Sequence, residues 1–180
     1  MDAPRSEEAE GRLSVHKPVM VRECLGYLEP WRGGVYVDAT VGGGRHALAI
    51  GEALGERGKL FGIDLDPASL EVAGETLAGL KCEWHLIRGN YAGMREALAG
   101  HGVGQAAGVL FDLGPCSLHF DRAERGFSFR QDGPLDMRYD PEGELTAGDL
   151  VNGLSERELT RVLWEYGGEK DAATVAAGIV

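Results

Sequence analysis

Cysteine is scarce in this chain. Cys24, Cys82 and Cys116 make an odd number with no CxxC spacing. That excludes a disulfide framework and a zinc knuckle and points to a reducing compartment. Long apolar runs are missing as well. No stretch nears the roughly 20 residues that a membrane span needs, so no transmembrane helix is expected and the expected location is the cytoplasm. Basic residues are few beside acids, 18 Lys and Arg against 29 Asp and Glu, for a net charge of −11. A polyanion-binding protein usually shows a basic face, so whole-molecule charge gives no hint of nucleic acid, and only a local patch could serve. No cluster of ligands with metal-binding spacing is visible, nor any internal repeat. Residues 1–15, acidic and without an apolar core, are neither a secretory signal nor an Arg-rich transit peptide, and read as a disordered tail.

What the chain does have is glycine, 28 residues of it, among apolar runs of two lengths. VYVDAT (35–40), KLFGID (59–64), EWHLIRG (83–89) and AAGVLFDLG (106–114) are short, β-branched or aromatic, and predict buried strands. Between them lie helical stretches: VMVRECLGYL before the first strand, RHALAIGEAL after the first, ASLEVAGETLAGL opened by Pro67, and MREALAG. Strands alternating with helices imply right-handed crossovers and a parallel sheet, an α/β doubly wound pattern with its site at the carboxyl ends of the strands. Residues 16–122 form this sheet domain. Residues 123–180 are an irregular loop followed by helices: Ser155 and Glu158 have the spacing of a capping box, Leu159, Val162, Leu163 and Tyr166 form an apolar stripe, and DAATVAAGIV is a last helix.

Three acids, Asp38, Asp64 and Asp112, end three of the strands, where a carboxylate is costly unless it meets donors. Singly each could be a cap or turn residue. Together they surround the turn Gly42-Gly43-Gly44, whose backbone can pass close to a ligand. Gly42, Gly44 and Ala47 satisfy GxGxxA, and Asp64 follows Gly44 by 20 residues, where a ribose-binding acid belongs. That fits a nicotinamide dinucleotide and equally any adenosine-containing cofactor. Asp38, just before the glycines, would repel a pyrophosphate but suits a cationic amino-acid end such as that of S-adenosylmethionine.

The loop ERGFSFRQDGPLDMR (124–138) has no period of 2 or 3.6 and too many apolar residues for a linker. It reads as an ordered functional loop in which Phe127, Phe129 and Met137 pack down. Arg125, Arg130 and Arg138 are either contacts to RNA phosphate or the cofactor side, or partners of Asp132 and Asp136 in internal salt bridges.

HKPVM, YVDATVGGGRHA, GIDLDP, RGNY, FDLG, the loop above and VNGLSERELTRVLWEYGGEK together resemble the bacterial small-subunit ribosomal RNA cytosine-N4 methyltransferases, the RsmH or MraW family, over about residues 16–180. The resemblance implies a class I, Rossmann-like S-adenosylmethionine-dependent methyltransferase fold with a helical insertion domain. It implies methyl transfer from S-adenosylmethionine to the N4 amine of a cytidine in 16S ribosomal RNA of the small subunit. Carried over by position, the cofactor contacts are Gly44, Arg45, His46, Asp64, Tyr91, Asp112 and His119, with Asp112 also the candidate for orienting the amine. The mechanism implied is direct displacement driven by proximity, with the base splayed out if it is paired or stacked.

The sequence departs from that family at particular places. Arg45 stands where Gly is usual, His119 where Gln is usual, and DLGPCS replaces DLGVSS. The Pro115-Cys116-Ser117 so created is like that of cytosine-C5 RNA methyltransferases, in which the Cys attacks the base. A basic run expected near the end is replaced by DAATVAAGIV, and family members continue well beyond it, so the chain is expected to be a shortened member. Other readings stay open: an NAD-dependent oxidoreductase, a non-catalytic fragment or degenerate relative, and C5 methylation through Cys116.

Overall fold

In the computed structural model, which describes residues 18–180, the apolar runs form one parallel sheet. Strands β1 (Gly34–Asp38), β2 (Gly58–Asp64), β3 (Glu83–Arg88) and β4 (Gly108–Leu110) lie in the order β3-β2-β1-β4. Asp38 is in register with Gly62 on one side and Leu110 on the other. Parallel neighbours need crossovers, and α2 (Arg45–Leu54), α3 (Pro67–Leu77) and α4 (Met94–Gly100) supply them, after a first helix α1 (Val21–Leu28). The alternation of side chains along a strand divides the core in two. Tyr36 and Leu60 pack with Ile50, Leu54 and Leu77 on one face, and Val37, Phe61 and Ile63 with Leu98 on the other. Each such fully shielded Leu or Phe stabilises the fold by about 1.5–3 kcal/mol. The chain runs outward from β1 to β3 and then returns to the far side of β1 as β4. The crevice beyond β1 and β4 is therefore the switch point of the sheet, where ligands bind in such folds.

Two elements differ from expectation. β4 is three residues long, not nine, and Phe111–Gly114 are exposed. The reason is its neighbour: Leu110 is opposite the last residue of β1, which then turns away. The backbone N–H of Asp112 donates instead to Thr40 Oγ1 at 2.8 Å. A short helix, α5 (Ser117–Asp121), stands beyond β4 where the sequence showed no element, because five residues are too few to show a period.

The structure divides into two compact units at Asp121/Arg122. The second holds α6 (Ala147–Gly153), α7 (Glu156–Glu165) and α8 (Ala172–Ile179). The Ser155–Glu158 capping box forms at the start of α7, and a second one, Thr146 with Asp149, starts α6. Leu159 is buried as its stripe requires, but Tyr166 closes the helix and is 79% exposed. The loop before α6 is ordered by polar groups more than by aromatics. Buried Arg125 donates to the carbonyls of Arg138 and Tyr139 at 2.8 and 3.2 Å. Arg138 grips Asp136 through Nε and Nη2 and donates from Nη1 to the Gly143 carbonyl at 2.7 Å. Phe127 packs edge-on against Tyr139. Phe129, expected to pack down, is 99% exposed, and Met137 is exposed in a left-handed conformation.

Candidate functional site

The turn after β1 owes its shape to two left-handed glycines, Gly42 (φ 48) and Gly44 (φ 80). Gly44 caps α2, and a Cβ there would lie 3.1 Å from Ala73 Cα, so this glycine lets α2 and α3 approach. Gly42 points its N–H at Asp64 Oδ2, 2.8 Å away, while Asp64 Oδ1 accepts from the Asp66 N–H at 3.0 Å. Asp64, last in β2, thus ties the turn to the start of α3 and keeps its remaining lone pairs for a ligand.

Asp38, last in β1, is 1% exposed and accepts one hydrogen bond, from the Thr40 N–H at 3.3 Å. Burial pushes its carboxyl up to about 6, partly opposed by that bond and by the nearby His46, and reinforced by the Asp112 and Asp64 charges. His46, in the first turn of α2, is a staple. Its Nε2–H donates to the Val19 carbonyl at 2.8 Å, and its Nδ1 lies 3.6 Å from Asp112 Oδ2. Asp112 keeps a side chain 57% exposed. Arg45 is exposed at the start of α2. Tyr91, just beyond β3, meets Phe111 edge to face at 5.5 Å, and both rings are exposed.

His119 lies deeper, on α5. It accepts the Cys116 N–H at Nδ1 (3.0 Å), and its Nε2 is 3.4 Å from Asp66 Oδ2. The structure therefore brings Asp38, Asp64, Asp112, His46 and Tyr91 around one crevice. It directs His119 toward Asp66 and Gly44 toward α3. Two residues escaped the reading of ligand contacts from sequence: Phe111, signalled by an aromatic at a strand end, and Asp66, hidden as a helix cap; Asp38 was read, but not its burial.

Donors and acceptors suit S-adenosylmethionine on observations of this site alone. A buried carboxyl held near 6 wants a cation, Asp64 has acceptors for ribose hydroxyls, and the Tyr91–Phe111 pair offers apolar surface to a purine.

Comparison with known proteins decides the lineage: the profile of the MraW methylase family matches residues 13–180. The chain belongs to the MraW methylase family. Its α/β architecture is that of the class I methyltransferases, as the resemblance implied. The ribosomal RNA small subunit methyltransferase H of Geobacter sulfurreducens is 50% identical over 165 residues, 92% of this chain and 53% of its own length. That of Heliobacterium modesticaldum is 44% identical over 92% of this chain and 53% of its own. That of Mycobacterium sp. strain KMS is also 44% identical, over 92% of this chain and 46% of its own. This MraW-family chain thus spans about half the length of the curated relatives it matches. Among the described residues no helix is long and apolar enough to cross a membrane.

Proposed function

We propose that this chain carries the S-adenosylmethionine site of an enzyme that methylates the N4 amine of a cytidine in small-subunit ribosomal RNA. The supporting observation is the crevice at the switch point, where buried Asp38, Asp64 and the exposed Tyr91–Phe111 pair offer complements to a cation, a ribose and a purine. The relatives' names supply the RNA class. The bound cofactor supplies an electrophilic methyl group on a sulfonium.

Each residue then has a task. Asp64 accepts from the ribose hydroxyls and, by holding the Gly42 N–H, fixes the turn. Asp38 faces the amino-acid end, where a buried pyrophosphate would be repelled; this favours S-adenosylmethionine over a dinucleotide. Asp112 is open to the crevice and pinned by Thr40 and His46. It accepts a hydrogen bond from the cytidine amine, whose lone pair is shared with the ring, and so aims it. His46 and Gly44 serve the cofactor by shaping the turn, Arg45 lies at its rim, and His119, on α5, backs it from the side of Asp66. Phe129 and Arg130, exposed together on the loop, are available to stack on and neutralise single-stranded RNA.

Calorimetric titration tests the cofactor site first. The chain should bind S-adenosylmethionine and not NAD, and Asp64→Ala should abolish binding. Asp112→Ala should keep that affinity while lowering methyl transfer to small ribosomal subunits about a hundredfold; loss of binding would assign Asp112 to the cofactor alone. Mass spectrometry of the nucleosides separates N4-methylcytidine from the C5 product that a nucleophilic Cys116 would give.

A further inference from the structure

Helix α7 is held by one face and bare on another. Leu159 is its buried anchor. Arg157, Arg161 and Trp164 lie roughly opposite, within about 60° of one another around the helix axis. Trp164 is 59% exposed. With Ser155, Glu158 and Thr160 these three line an open hollow of about 740 Å³. The hydroxyls and the acid of that lining are already engaged. Glu158 accepts from the Ser155 hydroxyl and N–H at 2.6 and 3.0 Å, and the Thr160 hydroxyl donates to the Glu156 carbonyl at 2.7 Å. One aromatic face and two guanidiniums are left to hold a ligand. Arg157 has no hydrogen-bond or ion-pair partner among the described residues. Arg161 reaches Glu165 only at 3.9 Å, with both side chains about half exposed or more, a pairing worth little and readily exchanged.

We propose that the Arg157–Arg161–Trp164 face of α7 is a binding site for single-stranded RNA, in which an unpaired base stacks on the indole and the flanking phosphates lie against the two guanidiniums. A protein partner would meet a single apolar ring among charges and hydroxyls. A nucleotide strand has the complementary make-up, a flat ring between anions. Arg157 and Arg161 are one turn apart, about 6 Å along the helix, so they can face successive phosphates of an extended strand. A base inside a duplex hides its face from the indole, so the site selects unpaired strands. This surface lies on α7 and is separate from Phe129 and Arg130 on the loop. That the strand is RNA rests on the function proposed above; the complementarity of the hollow does not.

The probe is a fluorescein-labelled single-stranded RNA of about 12 nucleotides, read by anisotropy, with the same strand annealed to its complement as a second probe. The single strand should bind about tenfold more tightly than the duplex. Trp164→Ala should weaken it about tenfold, and Trp164→Phe, which keeps a stacking ring, should stay within about threefold of wild type. Because Trp164 is exposed, both variants should keep the wild-type melting temperature. Arg157→Gln with Arg161→Gln should flatten the log–log dependence of affinity on salt by about 1.4, or 0.7 for each phosphate. Wild-type affinity in Trp164→Ala, an unchanged salt slope in the double variant, or equal affinity for the duplex would overturn the site. So would self-association of the chain that Trp164→Ala abolishes, which would give the face to a second copy. Binding lost in Phe129→Ala and kept in Trp164→Ala would leave the RNA reading standing and refute this site. A chain that bound no RNA yet bound S-adenosylmethionine would refute the site and spare the cofactor assignment. A chain that bound RNA through Trp164 and no S-adenosylmethionine would do the reverse.

Discussion

Asp38 links the site to the stability of the fold. Its carboxyl is raised from 3.8 to about 6 by burial. Below 3.8 it is protonated whether the chain is folded or not, and between 3.8 and 6 the unfolded chain loses the proton first. Stability therefore falls as pH rises through this window, and the full cost is present above it. Asp38→Asn should accordingly raise stability at pH 7.5 by on the order of 3 kcal/mol and leave it unchanged near pH 3.5, read from denaturant midpoints at the two pH values. A cationic ligand should relieve the same cost. Binding of S-adenosylmethionine near pH 6 should release a proton, seen as an enthalpy that varies with the ionisation heat of the buffer. Phe129 is the opposite case. Being fully exposed, its replacement by Ala should change stability by less than about 0.5 kcal/mol while weakening RNA capture.

At Gly44 the start of α2 comes close to α3. Ala there would place a methyl against Ala73 and force φ 80 on a residue with a Cβ. Gly44→Ala should cost about 1–3 kcal/mol by pushing α2 from α3, and should weaken cofactor binding through the Gly42–Asp64 bond; thermal melts and calorimetry on one sample check both. The elements themselves were largely legible. α4 occupies the residues expected, since MREALAG is compact and bounded by Gly93 and His101. The α7 start followed from Ser155 and Glu158. β4 was overread because the apolar run LFDLG continues past the point where β1 stops offering partners, and pairing is a property of two segments. Tyr166 was misplaced because the period ran one residue beyond the helix. Within the site, the strand-end acids and the glycine turn were visible as local patterns. The Cys116–His119–Asp66 cluster was not, because its members come from α5 and the cap of α3, about 50 residues apart in sequence and joined only by the crossover.

For the molecule as a whole, charge sets the terms on which RNA can be met. With a net charge of −11, long-range attraction to polyanions is absent. Arg125 and Arg138 are engaged with backbone carbonyls and with Asp136. With acids in such excess, the chain should pass through a heparin column at 0.15 M salt, and any RNA affinity should change little with salt compared with basic RNA-binding domains. Retention on heparin would reveal a basic patch that the composition conceals.

Asp66 divides its carboxylate between two duties: Oδ1 receives the Ala68 N–H that caps α3, and Oδ2 faces His119. Exchange of Cys116 or His119 leaves the cap in place, whereas a residue at 66 unable to accept would uncap the helix at a cost of about 1 kcal/mol. As far as the cap of α3 is concerned, exchange at 116 or 119 costs nothing and exchange at 66 does. Across homologous sequences, substitutions should be rarer at 66 than at 116 and 119, and lineages should acquire or discard the thiol–imidazole pair around an aspartate that stays.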